Sequence, residues 1–257
     1  MLYIGTAGYY YDDWIGPVYP TGTPKKSFLE CYAREFLFTE INSSFYRLPS
    51  RHMFYRMQLK TPPGFQFVVK AYRGFTHERE DKHYNEFKDA LVPLIEERKL
   101  GCVLAQFPYS FRYSPSNVAY LRFLREQLED LPIAVEFRHA SWVNDEVFCF
   151  LQANNMAYVI VDLPKLAALP PPVVRVTSDI AYVRFHGRNA HKWWHHTHAY
   201  ERYDYLYKEE ELERWVPAIQ QADREARKTF VSFNNHYQGK AVVNARMLIQ
   251  LIQYDER

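Results

Sequence analysis

Three phrases of the sequence set polar and charged residues two apart around an apolar one: Glu40-Ile41-Asn42, Glu136-Phe137-Arg138 and Arg184-Phe185-His186. In a strand, residues two apart share a face. Each pair can therefore project into one space while Ile41, Phe137 or Phe185 packs on the other side. Charges are seldom buried without partners, so such a convergence points to a site. Lys70, Arg138, Arg184 and Arg188 are cations suited to phosphate or carboxylate, with arginine able to form two parallel bonds. The other reading is that they neutralise Glu40, Glu136 and Asp162. Glu136 and Asp162, among so many cations, are expected ionised, which suits a base or an orienting group. His186 is then the better proton donor. Glu136, Asp162 and His186 are the catalytic candidates. Glu40, Asn42, Lys70, Arg138, Arg184, Arg188 and Asn234 are the substrate contacts, with Tyr46 and Trp142 as rings for stacking. Trp142, like Trp14 and Phe45, better suits wedging a loop onto the fold.

Those residues need elements to carry them. Short apolar runs alternate with segments of helical period, and eight strands are predicted: 2–6, 38–42, 65–70, 103–106, 133–137, 157–162, 180–186 and 229–234. The βαβα order implies a parallel sheet, and eight strands close a (β/α)8 TIM-type barrel whose ligand site lies at the carboxyl ends of its strands. Helical faces such as Val118, Leu121, Leu124 and Leu128, or Leu212, Trp215 and Ile219, would cover its outside. Pro93 predicts a kink or a late start in the third helix, and the proline-rich stretch 163–178 an irregular sixth connection. No linker divides residues 1–257, so a single domain is expected.

The chain has 257 residues, 47% of them hydrophobic, enough for a sizeable core. A formal charge of +2 gives no general field for polyanions. Cys31, Cys102 and Cys149 have neither metal nor redox spacing and read as reduced thiols. Met1 runs straight into a strand with no signal-peptide pattern, and no apolar run approaches the roughly 20 residues that span a bilayer. A soluble cytoplasmic protein with no membrane role is the expectation. Aromatic residues reach 17%, most of them assigned to the core.

The same residues carry a resemblance. Gly5-Thr6-Ala7-Gly8, the run Glu40 to Pro49, Glu136-Phe137-Arg138-His139-Ala140-Ser141-Trp142 and Tyr182-Val183-Arg184-Phe185-His186-Gly187-Arg188 resemble the family called domain of unknown function 72, or YecE-like. Lys70-Ala71, Thr76-His77, Gln106-Phe107-Pro108 and Asn234-Asn235 agree with its pattern too. One departure is Ala7, where the family usually has serine. The resemblance implies a (β/α) barrel and no established activity.

The expected function is that of an enzyme acting on a small, polar, anionic substrate, phosphorylated or sugar-like, by acid-base chemistry at the barrel mouth. One alternative is a nucleic-acid-binding or phosphodiester-processing barrel. Another is a non-catalytic ligand-binding protein. No cofactor is required. A divalent metal would draw on Glu40, Glu136, Asp162 and His186, but the arginines compete for the same carboxylates. His191 and His195 lack the glutamate of a zinc helix motif, so their segment reads as an exposed lid bearing Trp193 and Trp194. Substrate identity, reaction type and oligomeric state are left open.

Overall fold

Eight apolar runs lie side by side in chain order, each parallel to the next, and the last pairs with the first to close a barrel. They are β1 (Leu2–Thr6), β2 (Phe38–Ile41), β3 (Gln66–Lys70), β4 (Leu100–Gln106), β5 (Ile133–Glu136), β6 (Met156–Asp162), β7 (Ile180–Phe185) and β8 (Lys228–Phe233). The computed structural model describes residues 1–255. All-parallel strands have helices on one face and the barrel interior on the other, which is why these runs are almost wholly buried.

The helices are α1 (Phe28–Tyr32), α2 (Ser43–Tyr46), α3 (Arg51–Gln58), α4 (Tyr84–Glu96), α5 (Pro115–Leu128), α6 (Asp145–Ala153), α7 (Ala190–Trp193), α8 (Glu209–Glu213), α9 (Val216–Glu225) and α10 (Lys240–Asp255). Local chemistry sets several starts. Ser114 and Asn144 accept the backbone N–H groups of Asn117 and Val147, at 3.2 and 2.9 Å, capping α5 and α6. Leu121, Leu124 and Leu128 are buried as their spacing requires.

Two inward and outward sets follow from the strand alternation. Phe38, Val68, Leu104, Val159, Tyr182 and Phe230 pack inside the barrel, while Ile41, Val69, Val103, Val135, Ile160 and Val183 pack against the helices. β4 begins three residues earlier than the expected Val103. A glycine reads as a strand breaker, yet a Cβ on Gly101 would lie 2.7 Å from the Phe230 ring, so the crowded interior demands it.

Helix α4 starts late, after a wide turn at Gly74–Glu78, and runs through Pro93 to Glu96. The sixth connection has no helix. Thr177 Oγ instead accepts from the Tyr158 N–H at 2.8 Å and donates to the Met156 carbonyl at 2.7 Å, fastening that connector to β6. The single helix expected around Leu212, Trp215 and Ile219 is two, α8 and α9, with Trp215 in the joint between them.

Candidate functional site

Inward side chains of β2, β3, β5, β7 and β8 meet at the carboxyl end of the barrel. At their centre is Arg184, 2% exposed. Its Nη2 and Nε donate to the Glu40 Oε1 and Oε2 atoms at 2.6 and 2.9 Å, and its Nη1 donates to Glu136 Oε2. Tyr182 donates its hydroxyl to Glu40 Oε2 at 2.5 Å. One guanidinium thus bridges carboxylates from two strands on different sides of the barrel, using three of its five N–H groups.

Glu136 also accepts from Arg138 Nε and lies 3.3 Å from His186 Nε2. Burial alone would raise its carboxyl, but Arg138, Arg184 and His186 outweigh burial and hold it well below the usual carboxylate range. For His186 burial prevails. Desolvation, helped by Arg138, pushes it down to about 3. Its Nδ1 stands 3.1 Å from Asn234 Nδ2, a pattern that fits a neutral ring with its proton on Nε2, facing Glu136. His186, expected as a proton donor, thus has a charged form that burial disfavours. The ring is neutral near pH 7, and both its nitrogens are engaged within the protein.

Lys70 differs from the other two cations. Its Nζ donates to Gln106 Oε1 at 2.9 Å and stands 4.3 Å from the centroid of the Phe45 ring. Phe45 is brought there by α2, whose Ser44 donates to the carbonyls of Ile41 and Lys70 at 3.0 and 2.6 Å. Burial first, and then Arg184, lower Lys70 to about 8. At the rim His77 meets Phe45 edge-on and is held down at about 4 by burial, Lys70 and Arg138. Within the mouth, two carboxylates face three cations, with His186 neutral.

The structure thus gathers Glu40, Lys70, Glu136, Arg138, Arg184, His186 and Asn234. It places the other five candidates elsewhere. Asp162 faces outward, where it accepts from Arg188 Nε at 2.8 Å, Tyr207 at 2.8 Å and Trp215 Nε1 at 3.0 Å. Arg188 is consumed by Asp162 and by Glu211 at 2.8 Å, so it is not available to a ligand in the mouth. Trp142 is fully buried, stacked on Phe137 and Phe111 with its Nε1 donating to the Phe111 carbonyl at 2.6 Å, and it wedges the loop instead of meeting a substrate. Tyr46 is 73% exposed, outside the ring of contacts. Asn42 lies at the start of α2, and its buried Oδ1 has no partner among the described residues.

Tyr182, Ser232 and Gln106 were absent from the candidate set. The signal for the first two was the same alternation that singled out Arg184 and Asn234, continued two residues inward. Replacing Asp162 with alanine is expected to lower stability by about 2–3 kcal/mol, because Tyr207, Trp215 and Arg188 lose their common acceptor. Urea denaturation measures this. Ligand-induced stabilisation at the mouth should persist in that variant, and its loss would mean that Asp162 reaches the site after all.

The four expected metal donors are not assembled. Glu40 and Glu136 are given to Arg184, Asp162 points away, and among the described residues no group of three or more His, Cys, Asp and Glu side chains is arranged to hold a metal ion. His191 and His195 are exposed on the segment after β7, which sends Trp193 into the inner core and leaves Trp194 against Tyr109, with ring centroids 5.0 Å apart. Cys31, Cys102 and Cys149 are free. No helix among the described residues is long and apolar enough to cross a membrane.

A family model described as "Protein of unknown function DUF72" matches residues 3–257. The chain belongs to the DUF72 family. The UPF0759 protein YunF of Bacillus subtilis (strain 168) is 32% identical, over 99% of this chain and 96% of that one. A DUF72 crystal structure from Thermotoga maritima MSB8 superposes with a TM-score of 0.90 at 41% identity, covering 98% of this chain and 99% of that one. A DUF72 protein from Enterococcus faecalis V583 gives 0.88 at 28% identity, over 98% and 96%. These likenesses carry the DUF72 barrel. The chemistry of the mouth rests on its own geometry.

Proposed function

We propose that the barrel mouth is the active site of an enzyme for a small phosphate- or carboxylate-bearing substrate, bound by Lys70 and Arg138. One observation carries this reading: Lys70 is the mouth cation whose hydrogen-bond partner is a neutral amide, whereas Arg184 and Arg138 both have carboxylates. A half-buried ammonium without a counter-ion is costly, and an anion is what relieves that cost. Arg138 is 11% exposed and spends Nε on Glu136, which leaves the far edge of its guanidinium for a second contact.

The acid-base role passes from His186 to Lys70. A group near pH 8 in its free state can hold or release a proton at neutral pH, whereas Glu136 is too acidic and His186 too weakly basic. Glu136 then serves to orient Arg138 and His186. Isomerisation, elimination or metal-free hydrolysis beside an anionic group all fit this arrangement. A nucleic-acid backbone has less support, because Arg184 is buried and Arg188 is tied to two carboxylates.

The test is Lys70→Met. Below pH 8 the amine is charged in both folded and unfolded chains, so the penalty of burying it is present in full; it fades as the pH climbs toward 10.5. At pH 7 the variant is expected to be more stable than the parent by about 1–2 kcal/mol. It should also lose the thermal shift produced by phosphorylated sugars, where a ligand at about 100 times its Kd adds about 2.7 kcal/mol to the parent. Parent affinity should weaken above pH 8 as the ammonium is lost. If the variant keeps the full ligand-induced shift, the mouth does not bind anions through Lys70.

A further inference from the structure

Beside the mouth, a cavity of about 510 Å3 opens between the loops after β1 and β2 and helices α1 and α3. Its apolar side is made by Leu29, Met53 and Met57, and its other wall by the tyrosines 9–11. Tyr10 is 55% exposed, with its ring near Phe28 and edge-on to Tyr9, so much of its surface is open to a partner. Four cations line the opening: Lys25, Lys26, Arg56 and Lys60. Lys25 is paired with Asp12 at 2.6 Å, and Lys60 lies 3.3 Å from Glu30. The Lys26 and Arg56 side chains have neither ion pair nor hydrogen bond among the described residues.

The one acid that borders the cavity, Glu40, has its carboxylate turned into the barrel and bound to Arg184. The Asn42 Oδ1 that lacks a partner belongs to a residue on the same wall. The volume matches small-molecule sites, roughly 300–1,000 Å3, and is too small for a docked helix. A lining that combines tyrosine rings with methionine thioethers suits a flat aromatic body, since sulfur and ring edges attract one another. Unpaired Lys and Arg suit a phosphate.

We propose that this cleft is a second binding site, for an aromatic phosphomonoester of mononucleotide size, with the ring between Tyr10 and the Met53–Met57 side and the phosphate on Lys26 and Arg56. The site borders the mouth at Glu40 and Asn42 but does not need Lys70.

Calorimetric titration of the full chain with adenosine 5′-monophosphate tests it, with adenosine, ribose 5-phosphate and inorganic phosphate as separate titrants. Adenosine 5′-monophosphate should bind one per chain beside any ligand held by the mouth, at least ten times more tightly than each of the three fragments. The double variant Lys26→Ala/Arg56→Ala, both at exposed positions, should weaken it at least tenfold, and Met53→Trp should block it by filling the cleft. Lys70→Met should leave it unchanged. No binding at millimolar concentration overturns the proposal. So does, in the Lys70→Met background where the mouth is silent, ribose 5-phosphate or adenosine binding as tightly as the whole molecule, or affinity that survives both cleft variants. Loss in Lys70→Met with no effect of the cleft variants would place the ligand in the mouth and overturn the second site while supporting the first.

Discussion

Replacing Arg184 with methionine is expected to remove about 3–5 kcal/mol of folding stability, the largest effect of any single substitution in the mouth. The side chain is 2% exposed and holds Glu40 and Glu136, both fully buried. Removing it leaves two carboxylates in low dielectric. Glu136 keeps Arg138 and His186, while among the described residues Glu40 keeps only the hydroxyls of Tyr182 and Ser232, at 2.5 and 3.4 Å. Glu40 is therefore the group that bears most of the penalty. Urea denaturation of Arg184→Met, and of Arg184→Met combined with Glu40→Gln, separates the two contributions. The second substitution should restore part of the loss, because a neutral amide is cheaper to bury than an unpaired charge. A single-variant loss below about 1 kcal/mol would show that water reaches the carboxylates and that the ion pairs are weaker than their burial implies.

The second large effect is on acid stability. His186 is completely buried and its pKa falls from 6.5 to about 3 on folding. Below pH 6.5 the unfolded chain takes up a proton there that the folded chain refuses, so the stability linked to this ring is present above 6.5 and is lost as the pH falls toward 3. The slope approaches 1.4 kcal/mol per pH unit, and the full contribution is about 5 kcal/mol. Glu136 adds to the loss below about pH 4.5, since its depressed pKa makes the folded state release the proton that the unfolded state binds. His186→Gln should flatten the wild-type decline between pH 6.5 and 4.5. It should not abolish it, because burial also lowers His77, His139 and His236. Denaturation curves at several pH values settle the matter, and an unchanged slope in the variant would mean that His186 protonates freely in the folded protein.

The parts of the site that were legible in the sequence are those governed by strand alternation. Glu40, Glu136, Arg138, Arg184 and His186 share the inward side because each sits two residues from another, and the barrel enforces that period. Asp162 shows the same rule missed. Val159 and Val161 face inward, so the next residue must face out, and its partners Tyr207 and Trp215 come from the helix layer. Arg188 and Trp142 lie past the ends of their strands, where the period no longer says which way a side chain points. Partner choice was illegible for a different reason: Arg184 and Glu40 are 144 residues apart, and only the closed barrel sets their distance. The early start of β4 at Leu100 was hidden by Gly101, whose need for close approach to Phe230 is a property of the packed interior.

The outward network at Asp162 has a consequence for the loop that follows β7. Arg188 leaves the barrel at the beginning of that loop and Tyr207 returns at its end, and both bind the same carboxylate. The intervening residues are thus a ring closed at that carboxylate and fastened again within, by Trp193 in the inner core, by Asn235 on the Tyr205 carbonyl and by Lys240 on Asp204. Between those fastenings the more exposed residues 195–198 can be lengthened or exchanged while the strands beneath keep their register, which makes that stretch, and not the whole loop, the natural place to graft a new specificity onto this barrel.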